Sequence, residues 1–282
     1  MADAAVVEPI APAVGALRRN ARLYRHLAGA RIRSDLQYRA SLALFTVGTL
    51  VITGLDFVAI AILFVQVPAL AGWNLAEVAF LYGTSGVSFG LADMAVGSIE
   101  KVSERIRRGT FDILLLRPAG TLLQVVTDEF ALRRIGKVVQ PAAVLAYGVA
   151  RLDVAWDART VTLTVGMILA GSLIAGAIWV TSAAATFWTV EGREAANAVT
   201  YGGAALTQYP LPLYGEVVRS LAFVIPIAFV SYLPSVEVLG KDDPLGVPAA
   251  LRYASPVVAV ASVAAATVAW RFAVRHYRST GS

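Results

Sequence analysis

From residue 41 onward the chain sets long apolar runs between short polar breaks. Runs at about 41–66, 75–97, 138–152, 160–189 and 254–270 read as membrane crossings, since about 20 apolar residues cover the hydrocarbon of a bilayer. The run at 138–152 is short, and its helix is expected to begin earlier, in the polar segment before it. Residues 195–238 allow two readings. In one, 195–213 crosses and 214–238 dips in from the outside as a broken hairpin around Pro226. Non-helical backbone at that depth requires cover by protein or a cavity. In the other, 217–238 is a simple span. Both leave 239–253, with Lys241, Asp242 and Asp243, on the outside.

The longest polar interruption is Ser98–Pro118, SIEKVSERIRRGTFDILLLRP. Ile99, Val102 and Ile106 recur at helical spacing, while Glu100, Lys101, Glu104, Arg105, Arg107 and Arg108 fill the other faces. Gly109 suits a helix C-cap because it lacks a Cβ and can take the left-handed conformation. Thr110 is the candidate N-cap of a second short helix, with Asp112 in its first turn. Pro118 stops that helix. Two short amphipathic helices with a kink are therefore expected, or else a solvated loop between spans.

Before the first run, residues 1–16 show little periodicity and read as disordered. Residues 17–40 hold seven arginines beside an apolar stripe of Leu17, Ala21, Tyr24, Ala28, Ile32 and Leu36. That is the pattern of an amphipathic helix lying in the membrane interface, its arginines toward anionic headgroups, or of an ordinary cytoplasmic helix. Residues 41–282 form the transmembrane part.

Composition narrows the class. Of the 282 residues 57% are hydrophobic and 15% charged, against roughly 25% charged in soluble domains. The fold class expected is an all-α polytopic membrane protein. The net charge of +5 reports basic residues gathered on one membrane face rather than a nucleic-acid partner. All but five of the 24 Lys and Arg (Arg151, Arg159, Arg219, Lys241 and Arg252) fall in the N-terminal arm, 98–137, 191–194 and the C-terminal tail. The excess of Lys and Arg marks the cytoplasm, so both termini and the 98–118 stretch are expected inside, with roughly six spans. Trp73, Trp156, Trp188 and Trp270 are expected at interface depth.

Candidate chemistry is sparse. With no cysteine, disulfides and thiolate metal sites are excluded, and no metal-ligand set is assigned. His26 and His276 read as solvated surface residues. No GxxxxGK[ST] or HExxH motif and no usable Ser/His/Asp set is present, so no catalytic residue is assigned and ATP hydrolysis is not expected of this chain. Asp56 lies within the first run. A charged aspartate near mid-span costs roughly 2.5–3.5 kcal/mol on insertion scales. It lines a substrate path or pairs with a basic residue, or it lies near the outer end and reaches water or the next helix. Asp93 is expected near water at the inner end. Gly83, Gly86, Gly90 and Gly97 share one face of the second run, as close helix packing in lipid requires. In the fourth run Gly166, Ala170 and 172–176 offer similar steps.

The segment Ile106–Pro118 resembles the cytoplasmic loop of ABC-2 type transporter permeases. More narrowly, it resembles the bacterial subfamily that includes viologen-exporter-type and multidrug permeases. LLQVVTDEFALRRIGKVVQ (122–140), YPLPLYGEVVRSLAFVIPIAFVSYLPSVEVLG (209–240) and YRSTGS (277–282) are similar too, in order along the chain. The resemblance implies a six-helix transmembrane domain with an N-terminal amphipathic helix. It also implies a cytoplasmic coupling helix between helices 2 and 3 and a re-entrant outer segment between helices 5 and 6, favouring the broken-hairpin reading. It implies the permease subunit of an ATP-driven exporter in the bacterial inner membrane, moving an amphiphilic or drug-like substrate, which could be cationic or lipid-like. The partners implied are two ABC ATPase subunits, carrying ATP and Mg, and a second permease subunit, identical or homologous. The ATPase contact would be Glu100, Val102, Glu104, Arg105, Ile106, Arg108, Phe111, Asp112, Ile113, Leu114 and Arg117. The alternative is a stand-alone secondary transporter or flippase. That class places charges in several spans, often with an internal repeat; the one deep carboxylate here is Asp56.

Overall fold

The computed structural model describes residues 24, 29, 33, 34, 36–117, 119–127, 132–188 and 192–277, without the side chains of 132, 133, 192–197 and 199. Residues 1–16, most of the 17–40 arm and the tail beyond 277 lie outside it.

Two long helices open the described chain: α1 (Arg39–Gln66) and α2 (Leu75–Val96). The start of α2 is fixed by a capping box. Asn74 Oδ1 accepts from the Glu77 amide at 3.0 Å, and Glu77 Oε2 accepts from the Asn74 amide at 2.8 Å. Then come a 3₁₀ turn (Gly97–Lys101), α3 (Val102–Arg107), α4 (Asp112–Leu115) and α5 (Thr121–Thr127). A second 3₁₀ turn (Leu132–Ile135) leads into α6 (Gly136–Arg151), followed by α7 (Ala158–Ala185) and α8 (Gly192–Leu206). After α9 (Glu216–Val224), α10 (Tyr232–Val238) and a 3₁₀ turn (Ala249–Tyr253), the chain ends in α11 (Ser255–Arg275).

The core lies around α2, which is buried along most of its length. Helix α6 packs along one side of it and α7 along the other; α11 lies on α7 and α1 on α6. Three glycines explain the closeness of α2 and α6. A Cβ on Gly83 would stand 2.6 Å from Leu145 Cα, one on Gly86 2.5 Å from Pro141 Cβ, and one on Gly90 2.5 Å from the Lys137 carbonyl oxygen. Pro141 has no N–H to return to that carbonyl one turn back, so Gly90 closes on the turn the proline has opened. In α7 the residue at close approach is Gly171, where a Cβ would meet Ser88 Oγ at 2.8 Å, and not Gly166, which faces open space. Hydroxyls inside the helices donate one turn back, as Thr84 to Phe80 O and Ser88 to Thr84 O, each at 2.8 Å. They thereby satisfy themselves where water is absent.

Among the described residues four helices are long and apolar enough to cross a membrane: α1, α2 with its continuation to Arg107, α7 and α11. The pair α9 with Ile227–Val238 could make a fifth, but it bends by 77°. The simple-span reading of 217–238 therefore gives way to a broken segment. The cause is Pro226, which removes an amide and holds Ile225 extended (φ −91°, ψ 99°). Nor is 195–213 one helix: α8 stops at Leu206, before Pro210 and Pro212.

Two of the tryptophans expected at interface depth turn into the protein. Trp188 is 52% exposed, but Trp73 and Trp270 are buried at 2% and 3%. Trp73 stacks near Tyr232, with ring centroids 5.9 Å apart, and lies under the Lys241 ammonium. Contacts within the protein hold both rings.

Candidate functional site

The stretch from Gly97 to Leu116 follows α2 without a break and forms two short helices joined by a tight stop. The stop is a Schellman motif. Gly109 has φ +66°, its amide donates to Ile106 O at 3.1 Å, and the Thr110 amide donates to Arg105 O at 3.0 Å. Thr110 does not cap α4: its hydroxyl turns back to Arg105 O at 3.3 Å, and Phe111 occupies the capping position. Glu104 and Arg108 form an exposed i,i+4 ion pair at 2.5 Å, which adds little to stability.

Burial divides the residues of this stretch. Ile99, Val102, Phe111 and Leu114 are buried within the chain, at 2%, 0%, 0% and 4% exposure. Glu104, Arg105, Ile106 and Asp112 are half-buried, while Glu100, Arg107, Arg108 and Arg117 are exposed. Glu100 accepts from the Tyr201 hydroxyl of α8 at 3.2 Å. At the tip three apolar side chains face outward: Ile113 (52% exposed), Leu115 and Leu116 (85%).

Among the described residues two further sets of contacts attach the stretch to the bundle. At its start the Ser98 hydroxyl reaches Val125 O at 2.8 Å and Val126 O at 3.0 Å. Beside it Asp93 is 4% exposed, not wet as the sequence suggested. Arg134 Nη1 donates to Asp93 Oδ1 at 2.5 Å and to Asp93 O at 3.0 Å. Lys137 Nζ is 2.8 Å from Oδ2, an ion pair without hydrogen-bond alignment. Gly97 leaves room for this pair rather than for a helix backbone, since a Cβ there would overlap the Arg134 guanidinium and the Asp93 carboxylate. At the other end Gln124 Nε2 donates to Leu114 O at 2.9 Å. Phe111 lies edge-on between Phe187, at 5.1 Å, and Tyr277, at 5.0 Å.

Sequence reading missed Phe187 and Tyr277 as partners of this stretch, and the ion-pair role of Arg134 and Lys137. The spacing of Arg134 and Lys137, one helical turn apart before an apolar run, was a signal that could have found the pair.

Asp56 stands on α1, exposed and apart from the 97–116 stretch. One turn earlier the Thr53 carbonyl accepts from Tyr82, whose hydroxyl also lies 3.3 Å from Gln140 Oε1.

The opposite end of the bundle is tied by charge. Lys241 Nζ pairs with Glu77 at 2.8 Å and lies 5.2 Å from the Trp73 ring centre. Arg159 pairs with Glu237 at 2.8 Å, and Arg252 stands 3.8 Å from the same carboxylate. Asp243 accepts from the Tyr232 hydroxyl at 3.0 Å and from the Leu245 amide at 3.1 Å. The Thr160 amide at 2.8 Å holds the Asp157 carboxyl below the usual carboxylate range.

Comparison with known proteins agrees with this architecture. The model of the ABC-2 family transporter proteins matches residues 50–281. No curated protein and no solved structure matches. The match takes in every long helix described, from within α1 to past the end of α11, and the chain accordingly belongs to the ABC-2 transporter family, as a multi-pass membrane permease component.

Proposed function

We propose that this chain is the permease subunit of an ATP-driven ABC exporter. One observation carries the reading. Ile113, Leu115 and Leu116 project from a stretch that is otherwise clamped to the bundle, beside the exposed Arg107, Arg108 and Arg117. Apolar side chains ringed by charge at a rigid tip suit a protein partner better than solvent. An ATPase on another chain, carrying ATP and Mg, docks there, and its closure moves the helices. Two such ATPases act on two permease subunits, the second identical or homologous. The complex sits in the bacterial inner membrane with both termini and the 97–117 stretch in the cytosol.

In this reading the chain crosses six times. Leu132–Arg151 supplies the third crossing as a 3₁₀ turn running into α6, α8 supplies the fifth, and 216–238 is the re-entrant outer segment. The substrate is amphiphilic or drug-like, and Asp56 lines its path. Glu100, Glu104, Arg105, Ile106, Arg108, Asp112, Ile113 and Arg117 make the ATPase contact, while Val102, Phe111 and Leu114, buried within the chain, lie outside it.

The test is capture. Full-length tagged protein purified from its native membrane brings down an ATPase with a Walker motif, and the Ile113→Asp/Leu116→Asp variant loses it while keeping its membrane level. Equal capture by that variant refutes the platform. Transport by the purified chain without nucleotide would establish the stand-alone transporter instead.

A further inference from the structure

Phe111 belongs to the stretch assigned above to ATPase docking, yet none of its surface is exposed, so it cannot touch a partner. Its ring meets Phe187, one residue past the cap of α7, at 83° between planes, and Tyr277, just past the end of α11, at 65°. Phe187 in turn stands edge-on to Trp270 of α11 at 5.7 Å. The Trp270 indole donates to Thr121 of α5 at 3.1 Å. One side chain thus joins the stretch to the near ends of α7 and α11.

The other end of the stretch is held differently. Ser98 is bonded to α5, and the Asp93–Arg134–Lys137 cluster ties the end of α2 to the start of α6. Helices α2 and α6 are further joined through Gly83, Gly86 and Gly90. A displacement at the tip therefore meets a fixed end at Gly97–Ser98 and a packed aromatic contact at Phe111. Closely packed side chains pass a displacement on rather than absorb it.

We propose that Phe111 is the positioning residue through which a push on the Ile113–Arg117 tip reaches α7 and α11, with Gly97–Ser98 as the fixed end. The proposal rests on the ATPase-docking reading. Phe111 contributes nothing to docking itself; it converts docking into helix movement.

The chain has no cysteine, so Val51→Cys and Val268→Cys, both on exposed faces of α1 and α11, accept a spin-label pair selectively. The copurified complex is measured by electron–electron resonance before and after trapping with ATP, Mg and orthovanadate. With Phe111 present, trapping shifts the distance distribution. Phe111→Ala is expected to reduce the shift at least fivefold, with ATPase capture and hydrolysis within twofold of the parent. Phe111→Met, which keeps apolar volume, retains half the shift or more. Phe187→Ala, on the far side of the contact, behaves like Phe111→Ala and guards against a folding defect peculiar to one position.

A full shift in both alanine variants overturns the proposal. So does loss of ATPase capture by Phe111→Ala, which would make Phe111 part of docking. If the parent captures no ATPase, or Leu116→Asp captures as much as the parent, the docking reading fails and the proposal with it. Loss of capture in Leu116→Asp alone, with the shift lost in Phe111→Ala alone, separates and supports both.

Discussion

Arg134 holds Asp93 at 2.5 Å where α2 ends, and Lys137 stands 2.8 Å from the other carboxylate oxygen. The carboxylate is 4% exposed. Removing one partner of a buried pair leaves an uncompensated charge, at a cost of roughly 3–5 kcal/mol. Lys137 remains in Arg134→Ala, so the lower end, about 3 kcal/mol, is expected. The double variant Asp93→Asn/Arg134→Gln should recover much of it, because no charge is then stranded. Thermal unfolding in detergent of the two variants and the parent provides the comparison. Equal losses in single and double variants would mean that the side chains act by packing rather than by charge.

The glycine seam between α2 and α6 makes a separate claim. A methyl at Gly86 would reach 2.5 Å from Pro141 Cβ, too close without backbone movement. Overpacking of this kind costs about 1–3 kcal/mol. Gly86→Ala is expected to lower the unfolding temperature measurably, whereas Gly166→Ala, whose position is open, should not. Unfolding monitored by tryptophan fluorescence gives the ranking, and a reversed order would place α6 elsewhere.

Much of this was readable in the residues, for definite reasons. The apolar runs located α1, α2, α7 and α11 because lipid leaves helices few alternatives. Gly109 announced its own left-handed turn, and the i, i+3, i+7 series of Ile99, Val102 and Ile106 named the face that packs inward, two of its members fully buried. What escaped depends on contacts distant in sequence. Nothing near Phe111 says that residues 187 and 277 will meet it. Gly97 continues the spacing of Gly83, Gly86 and Gly90, yet serves a guanidinium from 37 residues on. Trp73 and Trp270 sit at interface positions by sequence but turn inward, since cation–π and aromatic partners compete with headgroups. Asp93 looked solvated because its two partners lie on α6 and the turn before it.

Asp157 caps α7 through the Thr160 amide at 2.8 Å, which holds its carboxyl below the ordinary range. A depressed folded-state value means that the cap stabilises above the unfolded carboxylate pKa and fades as pH falls through the folded one. Asp157→Ala should therefore unfold earlier than the parent at pH 7, with the gap closing in acid below the carboxylate range. Melting curves from pH 7 down to about pH 1.5 test this, and a gap that persists unchanged to the acid end would remove the charge from the explanation.

The bend at Pro226 bears on sidedness. If 216–238 enters and leaves on one side, Tyr214 and Asp243, which flank it, face the same compartment. Single cysteines at both positions should react with an impermeant maleimide in intact cells, while one at Leu116 should react only after permeabilisation. Labelling of the first two on opposite sides would make the bent pair a crossing and shift the position of α11.

Asp56 makes the sharpest demand on the surroundings of α1. It is exposed on a helix whose neighbours Ile52, Leu55 and Val58 are exposed too, and a carboxylate facing lipid there costs roughly 2.5–3.5 kcal/mol. On the exporter reading proposed above, that cost would be offset where the carboxylate meets a cation, borne by the substrate or by a second permease subunit. The two sources separate on one substitution. If substrate supplies the cation, Asp56→Asn should cut transport of cationic amphiphiles at least tenfold and leave neutral ones within twofold, with the subunit stoichiometry on native mass spectrometry unchanged. If the second subunit supplies it, all substrates should fall together as the dimer weakens. Export indifferent to the change, with the dimer intact, would take Asp56 out of the path altogether.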